Sequence, residues 1–124
     1  MEFLNAQDIL NIHERVISPE ELQGLAGNKS LNAIIARIEN RINYGLISDE
    51  YDLAATYAVV IAVGHIFNDA NKRTAAIAMH MNLRRNGIKL HFDTETMGQI
   101  IIKVAQGIIG EIELAKYLRS LGNF

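Results

Sequence analysis

The sequence predicts an all-α protein, with about six helices packed around two central ones in a single domain over residues 1–124. Three observations predict this fold class. Apolar residues recur at helical spacing in several segments. Residues that favour helix ends stand where these segments begin and end. Two largely apolar stretches, Leu53–Val63 and Ala75–Leu83, lie near the middle of the chain and are long enough for buried helices.

The first two start signals lie within the first thirty residues. Asn5 is a predicted N-cap, and the residues behind it repeat at helical spacing: Ile9, Ile12 and Val16. In Ser18–Glu21 a serine cap, a proline at the first helical position and a capping-box glutamate predict a second, short helix. Gly24 and Gly27 end it after one or two turns.

Ser30 begins the next predicted helix, whose apolar face is formed by Leu31, Ile34, Ile35, Ile38 and Ile42. Gly45 ends this helix. The polar segment Tyr44–Asp52 is predicted to be a loop, with a short extended flap that docks a target as the alternative.

Leu53–Val63 is apolar at nearly every position, so periodicity alone does not distinguish a buried strand from a buried helix. Four alanines favour a central helix that ends at Gly64. Asn71 is the predicted N-cap of the second central helix, which runs to Asn86, with Gly87 as its C-terminal cap. A short extended segment could follow, and two further helices are predicted over Thr94–Gln106 and Glu111–Leu121.

Composition excludes several classes of protein. The chain has no cysteine, so it has no disulfide, thiolate nucleophile or zinc–thiolate site. Its net charge of −2 argues against a protein whose main role is to coat nucleic acid, and it leaves a local basic patch open. We expect no direct nucleic-acid partner. No apolar run approaches about 18 residues, so no membrane span is predicted, and Met1–Asn5 does not resemble a signal peptide. We expect a cytoplasmic protein.

A polar segment, His65–Thr74, separates the two central helices and carries the candidate site. His65 can accept a proton near neutral pH, and Asp69 offers the oxygen ligand that Mg²⁺ prefers. Asn71, Lys72 and Arg73 open a helix, where free N–H groups and two cations can bind phosphate. A base, a metal ligand and an anion site together predict phosphoryl or nucleotidyl transfer to a hydroxyl.

Structural roles are the alternative for each of these residues. His65 could be a packing histidine, Asp69 a helix cap, and Lys72 and Arg73 solvated charges, although cations in a first turn oppose the helix dipole. Phe67 is predicted to be a core residue in either case. The remaining histidines are interpreted as surface or packing residues: His13, His80 and His91.

The segment His65–Ala75 resembles the active-site motif of the Fic/Doc family, His-x-Phe-x-Asp/Glu-Gly/Ala-Asn-x-Arg, and most closely that of the Doc (death on curing) toxin branch. The resemblance implies a Fic-type helical bundle, with His65 as general base and Asp69 as the Mg²⁺ ligand. It also implies that Asn71, Lys72 and Arg73 bind the phosphates of ATP and that Phe67 anchors the loop.

The Doc branch implies a toxin kinase that phosphorylates a threonine of elongation factor Tu and arrests translation. It also implies a Phd-like antitoxin whose C-terminal helix lies in a groove beside the site. Most Fic proteins instead transfer AMP, and they carry a glycine where this chain has Lys72 and a second arginine where it has Ala76. These departures favour the kinase over the AMP transferase. A catalytically inactive antitoxin-binding module is the other alternative.

The self-inhibitory Ser/Thr-x-x-x-Glu-Gly/Asn motif of the family is not matched at Glu39-Asn40, because Ile35 stands at the hydroxyl position. We therefore expect any inhibition to come from another chain.

Overall fold

The computed structural model describes residues 1–122, which form six α-helices and no regular strand. The helices are α1 Ala6–Val16, α2 Leu31–Asn43, α3 Glu50–Gly64, α4 Asn71–Arg85, α5 Thr94–Ala105 and α6 Glu111–Gly122. The all-α prediction and the number of helices are confirmed. None of the described helices is long and apolar enough to cross a membrane.

Local capping explains why most helices begin where they do. Asn5 and Asp8 form a reciprocal capping box at α1, and Ser30 caps α2. Asp49 caps α3 by accepting the N–H of Asp52 at 2.8 Å. The loop predicted over Tyr44–Asp52 therefore ends at Asp49, and its last three predicted residues are helical. The predicted end of this loop was wrong.

The two central helices are α3 and α4. Most of α3 is buried, and it packs most extensively against α4 and then α6. The helical alternative for Leu53–Val63 is confirmed, because the whole segment lies within α3. A helix that is apolar on all sides needs neighbours on all sides, and α3 has them in its central position. One apolar core joins side chains from all six helices. The predicted domain bounds, 1–124, stay a prediction, and the last two residues lie outside the described part.

The second predicted helix start, at Ser18–Glu21, does not lead into a helix. Ser18–Glu21 forms a single turn in which the Glu21 carboxylate accepts the N–H and hydroxyl of Ser18, as in a capping box. The chain then leaves helical geometry and passes Gly24, whose φ is +83°. The segment from Gln23 to Ala26 runs beside the connection between the central helices, and these contacts replace a second helical turn.

Candidate functional site

The connection between α3 and α4, residues 65–70, has an unusual backbone at both ends. His65 ends α3 with φ of 47°, and Ala70 precedes α4 with φ of 64°. Among the described residues these are the two non-glycine positions with positive φ. Each costs on the order of 1–3 kcal/mol and persists only where surrounding contacts enforce it. The contacts that enforce it are therefore part of the site.

The first such contact is the Asn71 side chain. Its Oδ1 accepts the Phe67 N–H at 3.0 Å, and its Nδ2 donates to the Phe67 carbonyl at 2.9 Å. The prediction of Asn71 as the N-cap was wrong, because Asn71 is the first helical residue and Ala70 occupies the cap position. Alanine has no side-chain oxygen, so α4 begins without a side-chain cap.

The second contact is the segment 23–26, which lies antiparallel to the loop. Ala26 donates to the Ile66 carbonyl at 2.8 Å, and the N–H of Asn68 donates to Gly24 at 3.0 Å. The Asn68 side chain donates to two more carbonyls, those of Gln23 and Leu25. This segment and the loop are joined by four hydrogen bonds, whereas Tyr44–Asp52 makes none to the loop within residues 1–122. Docking of a target by Tyr44–Asp52 stays a prediction.

The third contact is His13 of α1, which we interpreted only as a surface or packing residue. It is buried against the Phe67 ring, and its Nε2 lies 2.9 Å from the Asp69 carbonyl oxygen. The sequence did contain a sign of this role, since His13 lies on the same face of α1 as Ile9 and beside Ile12. A polar residue on an apolar stripe needs a partner inside the protein.

A cleft of about 320 Å³ opens above this loop. It brings together all five predicted polar site residues: His65, Asp69, Asn71, Lys72 and Arg73. Phe67 lies beneath them and is 2% exposed. The volume is at the small end of ligand sites, which span about 300–1,000 Å³. It suits the phosphate-bearing part of a ligand better than a whole nucleotide.

The start of α4 forms one wall of this cleft and is suited to an anion. The first backbone hydrogen bond of the helix joins the Thr74 N–H to the Ala70 carbonyl at 3.0 Å. The three preceding N–H groups have no partner within the helix, and the dipole places positive charge there. Lys72 adds an exposed ammonium that forms no ion pair with a described residue.

Arg73 lines the cleft, and its guanidinium has partners within the described chain. Its guanidinium forms an ion pair with Glu21 and donates to the Val16 carbonyl at 2.9 Å. The hydrogen bond from Arg73 is the main reason that the pKa of Glu21 falls to about 2. Binding of phosphate by Arg73 would require this pair to open. Nothing local in the sequence indicates Glu21 as a partner, because the two residues are 52 positions apart.

Asp69 is the candidate metal ligand. One carboxylate oxygen accepts the Ala70 N–H at 2.9 Å, and the other makes no hydrogen bond within residues 1–122. No group of three or more His, Cys, Asp or Glu side chains in that range could hold a metal ion. Among the residues that line the cleft, Asp69 supplies a single carboxylate. This fits Mg²⁺, because the ion commonly takes one or two carboxylates, phosphate oxygens and water.

A second and larger cavity, of about 620 Å³, lies beside the cleft, and Lys72 and Arg73 border both. We call it the α4–α5 groove. Its lining is mostly apolar and comes from the end of α1, from α4, from the connection between α4 and α5, and from α5. The residues are Val16, Ala76, Ile77, His80, Phe92, Thr94, Met97, Gly98, Ile101 and Ile102. Ala76 lines this groove.

His80 is the main polar group in the groove. Its ring packs edge-on against Phe92, and its Nε2 accepts the Arg84 Nε–H at 3.1 Å. Its buried Nδ1 has no hydrogen-bond partner in the described part of the chain. Burial, assisted by the charge of Arg84, lowers the pKa of His80. The imidazole is therefore expected to be neutral at neutral pH.

Two comparisons with known proteins give matches that cover more than half of the chain. The model of the Fic/DOC family matches residues 3–83, more than half of the chain. The chain is also 37% identical over 122 residues to the protein kinase Doc of Escherichia phage P1, a match that covers 98% of this chain and 96% of that protein. The family match ends within α4, whereas the match to the phage protein also covers α5 and α6.

Proposed function

This chain belongs to the Fic/DOC family, and from that premise we propose that it is a Doc-like toxin of a toxin–antitoxin module. We propose that it transfers the γ-phosphate of ATP to a threonine of elongation factor Tu and so arrests translation in the cytoplasm. The observation that carries the proposal is the cleft, in which a histidine, a carboxylate and an uncapped helix start meet.

In the proposed reaction His65 takes the proton from the threonine hydroxyl as its oxygen attacks the γ-phosphorus of ATP. The bond from the γ-phosphorus to the β–γ bridging oxygen breaks, and ADP leaves. Asp69 would hold Mg²⁺, which, when bound, neutralises charge on the phosphates. Asn71, Lys72 and Arg73 would bind the phosphates, Asn71 through its backbone N–H because its amide already binds Phe67.

Two positions favour phosphate transfer over AMP transfer. Lys72 stands where a glycine would let the backbone approach a phosphate closely. Ala76 lacks the fork that a second arginine would offer to another phosphate, and it lines the apolar groove instead. A triphosphate should therefore lie differently here than in AMP-transferring relatives, with its γ-phosphate toward the target.

The α4–α5 groove supports the proposal of a Phd-like antitoxin whose C-terminal helix occupies it. An amphipathic helix places its apolar face in such a groove. The groove meets the cleft at Lys72 and Arg73, so an acidic residue of the helix could pair with these cations and obstruct the site. We expect Ile77→Glu, at an exposed position of the groove, to abolish rescue of growth by the antitoxin without lowering transfer activity.

The second candidate function is an inactive module that only binds an antitoxin. The observation that favours it is the ion pair between Arg73 and Glu21, which holds the arginine away from a phosphate. Growth arrest decides between the two functions. Arrest by the wild type but not by His65→Ala would exclude an inactive module.

The test of the reaction uses purified protein, ATP–Mg and bacterial elongation factor Tu, with the product read by intact-mass spectrometry. We expect the factor to gain one phosphate with the wild type and none with His65→Ala. His91→Ala, at an exposed histidine outside the cleft, is the matched control and should retain activity. A gain of one AMP would assign the chain to the AMP-transferring route. No modification, together with no growth arrest, would favour the inactive module.

A further inference from the structure

His13 makes two distinct contacts with the active-site loop from below. It is 2% exposed, and its ring lies parallel to that of Phe67, with centroids 3.7 Å apart and planes at 5°. Its Nε2 lies 2.9 Å from the carbonyl oxygen of Asp69. A carbonyl oxygen only accepts hydrogen bonds, so the His13 Nε2 carries the proton and donates it.

The geometry indicates that the hydrogen bond, rather than ring attraction, sets the position of His13. Aromatic rings prefer offset-stacked or edge-on arrangements with centroids about 4.5–7 Å apart. The His13 and Phe67 rings are nearly parallel with centroids only 3.7 Å apart, which is close to a face-to-face sandwich. An aliphatic side chain, like those of Ile9 and Ile12 on the same helix, would fill buried space without the cost of burying a polar ring. The imidazole offers what these residues lack, a donor for the Asp69 carbonyl.

This donor acts at a sensitive point of the backbone. The carbonyl of Asp69 belongs to the peptide that leads into Ala70, where φ is positive. The orientation of this peptide determines where the Asp69 carboxylate points relative to the start of α4. The carboxylate itself accepts the N–H of the same peptide, so a rotation there would move both groups together.

We propose that His13 is a positioning residue for Asp69. By donating from Nε2 to the Asp69 carbonyl, it holds the carboxylate in the direction needed to bind a divalent cation beside the phosphates. The cation part rests on the proposed function, whereas the effect on the loop does not. Groups that orient a metal ligand typically change metal affinity by about 10–100-fold when removed.

The test separates the donor of His13 from its ring. In His13→Gln the amide nitrogen reaches as far as Nε2 and retains the donor, whereas His13→Phe retains a ring without the donor. The same two substitutions at exposed His91 are the matched controls. One measurement is the ratio of affinities for a fluorescent ATP analogue with Mg²⁺ and with EDTA. The other is the amide chemical shift and hydrogen exchange of Ala70, read by NMR.

We expect His13→Phe to lower the Mg²⁺-dependent affinity ratio about tenfold or more and to expose the Ala70 amide to exchange. His13→Gln should restore most of both, even if His13→Phe folds poorly. The proposal is overturned if Gln and Phe behave alike, or if His13→Phe retains the wild-type ratio and the wild-type Ala70 amide. A third outcome separates the two proposals. If Mg²⁺ does not change the affinity of the wild type for the ATP analogue, but exchange of the Ala70 amide still differs between His13→Phe and His13→Gln, then His13 positions the loop and the proposed metal role of Asp69 is wrong.

Discussion

Replacing Asn71 with alanine tests whether its side chain holds the active-site loop. The substitution removes two hydrogen bonds to the backbone of Phe67, of 3.0 and 2.9 Å. Each such bond contributes about 0.5–1.5 kcal/mol net. We therefore expect the free energy of unfolding to fall by about 2 kcal/mol. Asn32→Ala is the matched control, because Asn32 is exposed in the first turn of α2 and its side chain has no hydrogen-bond partner in the described residues.

Urea denaturation is the assay. Both substitutions replace asparagine with alanine in the first turn of a helix, so the difference between them cancels most of the effect of helix propensity. We expect a lower midpoint at unchanged slope for Asn71→Ala, since the surface exposed on unfolding stays the same. For a chain of this length the loss corresponds to a melting temperature roughly 6–10 °C lower. A difference of less than about 0.5 kcal/mol between the two variants would refute the assigned role of the amide.

Three further variants test other parts of the structure. Glu21→Gln breaks the ion pair with Arg73, and we expect a several-fold rise in affinity for a fluorescent ATP analogue. The pKa of Glu21 is lowered from 4.5 to about 2. The stabilisation that the ionised carboxylate contributes is therefore present above pH 4.5 and lost as the pH falls toward 2. Between these pH values the free energy of unfolding should fall more for the wild type than for Glu21→Gln. Tyr57→Phe removes the buried hydroxyl that bonds both the N–H and the carbonyl of Leu4, which should cost about 2–3 kcal/mol in urea denaturation. Ala76→Arg places a charge in the α4–α5 groove, and titration calorimetry should show at least tenfold weaker binding of the antitoxin.

For each of these three variants, one result would contradict the prediction. Unchanged nucleotide affinity in Glu21→Gln would mean that Arg73 does not contact the ligand. If Tyr57→Phe is as stable as the wild type, water must form the hydrogen bonds to the N–H and carbonyl of Leu4 that the hydroxyl formed. If Ala76→Arg binds the antitoxin as tightly as the wild type, the antitoxin helix lies elsewhere.

Much of the fold could be predicted from the sequence because the determinants of its helices are local. Caps such as Asn5 and Ser30 act within three residues of their own position. The errors arose where competing signals were adjacent or where tertiary contacts decided the conformation. Asp49 was missed as a cap because it lies in a polar run, and Ser18–Glu21 has every local sign of a helix start yet forms only a turn.

The candidate site was visible in the sequence because its polar residues lie within ten positions of one another. What each side chain binds was not visible. The Asn71 side chain binds the backbone of Phe67, and this contact accompanies a positive φ at Ala70 that the residue type alanine does not predict. Arg73 pairs with a glutamate that precedes it by 52 positions, a contact that only the tertiary fold creates.

Some polar groups of the cleft hold the loop in place, and only the others are available to bind a ligand or react with it. The amide of Asn71 and one oxygen of Asp69 are used by backbone groups, and Arg73 is paired. The imidazole of His65, the second oxygen of Asp69 and the ammonium of Lys72 remain, together with N–H groups at the start of α4. Two positive-φ residues would not persist without the contacts that use the other groups. Loss of a support such as the Asn71 amide should therefore impair binding in the cleft even where the groups that touch the ligand are intact.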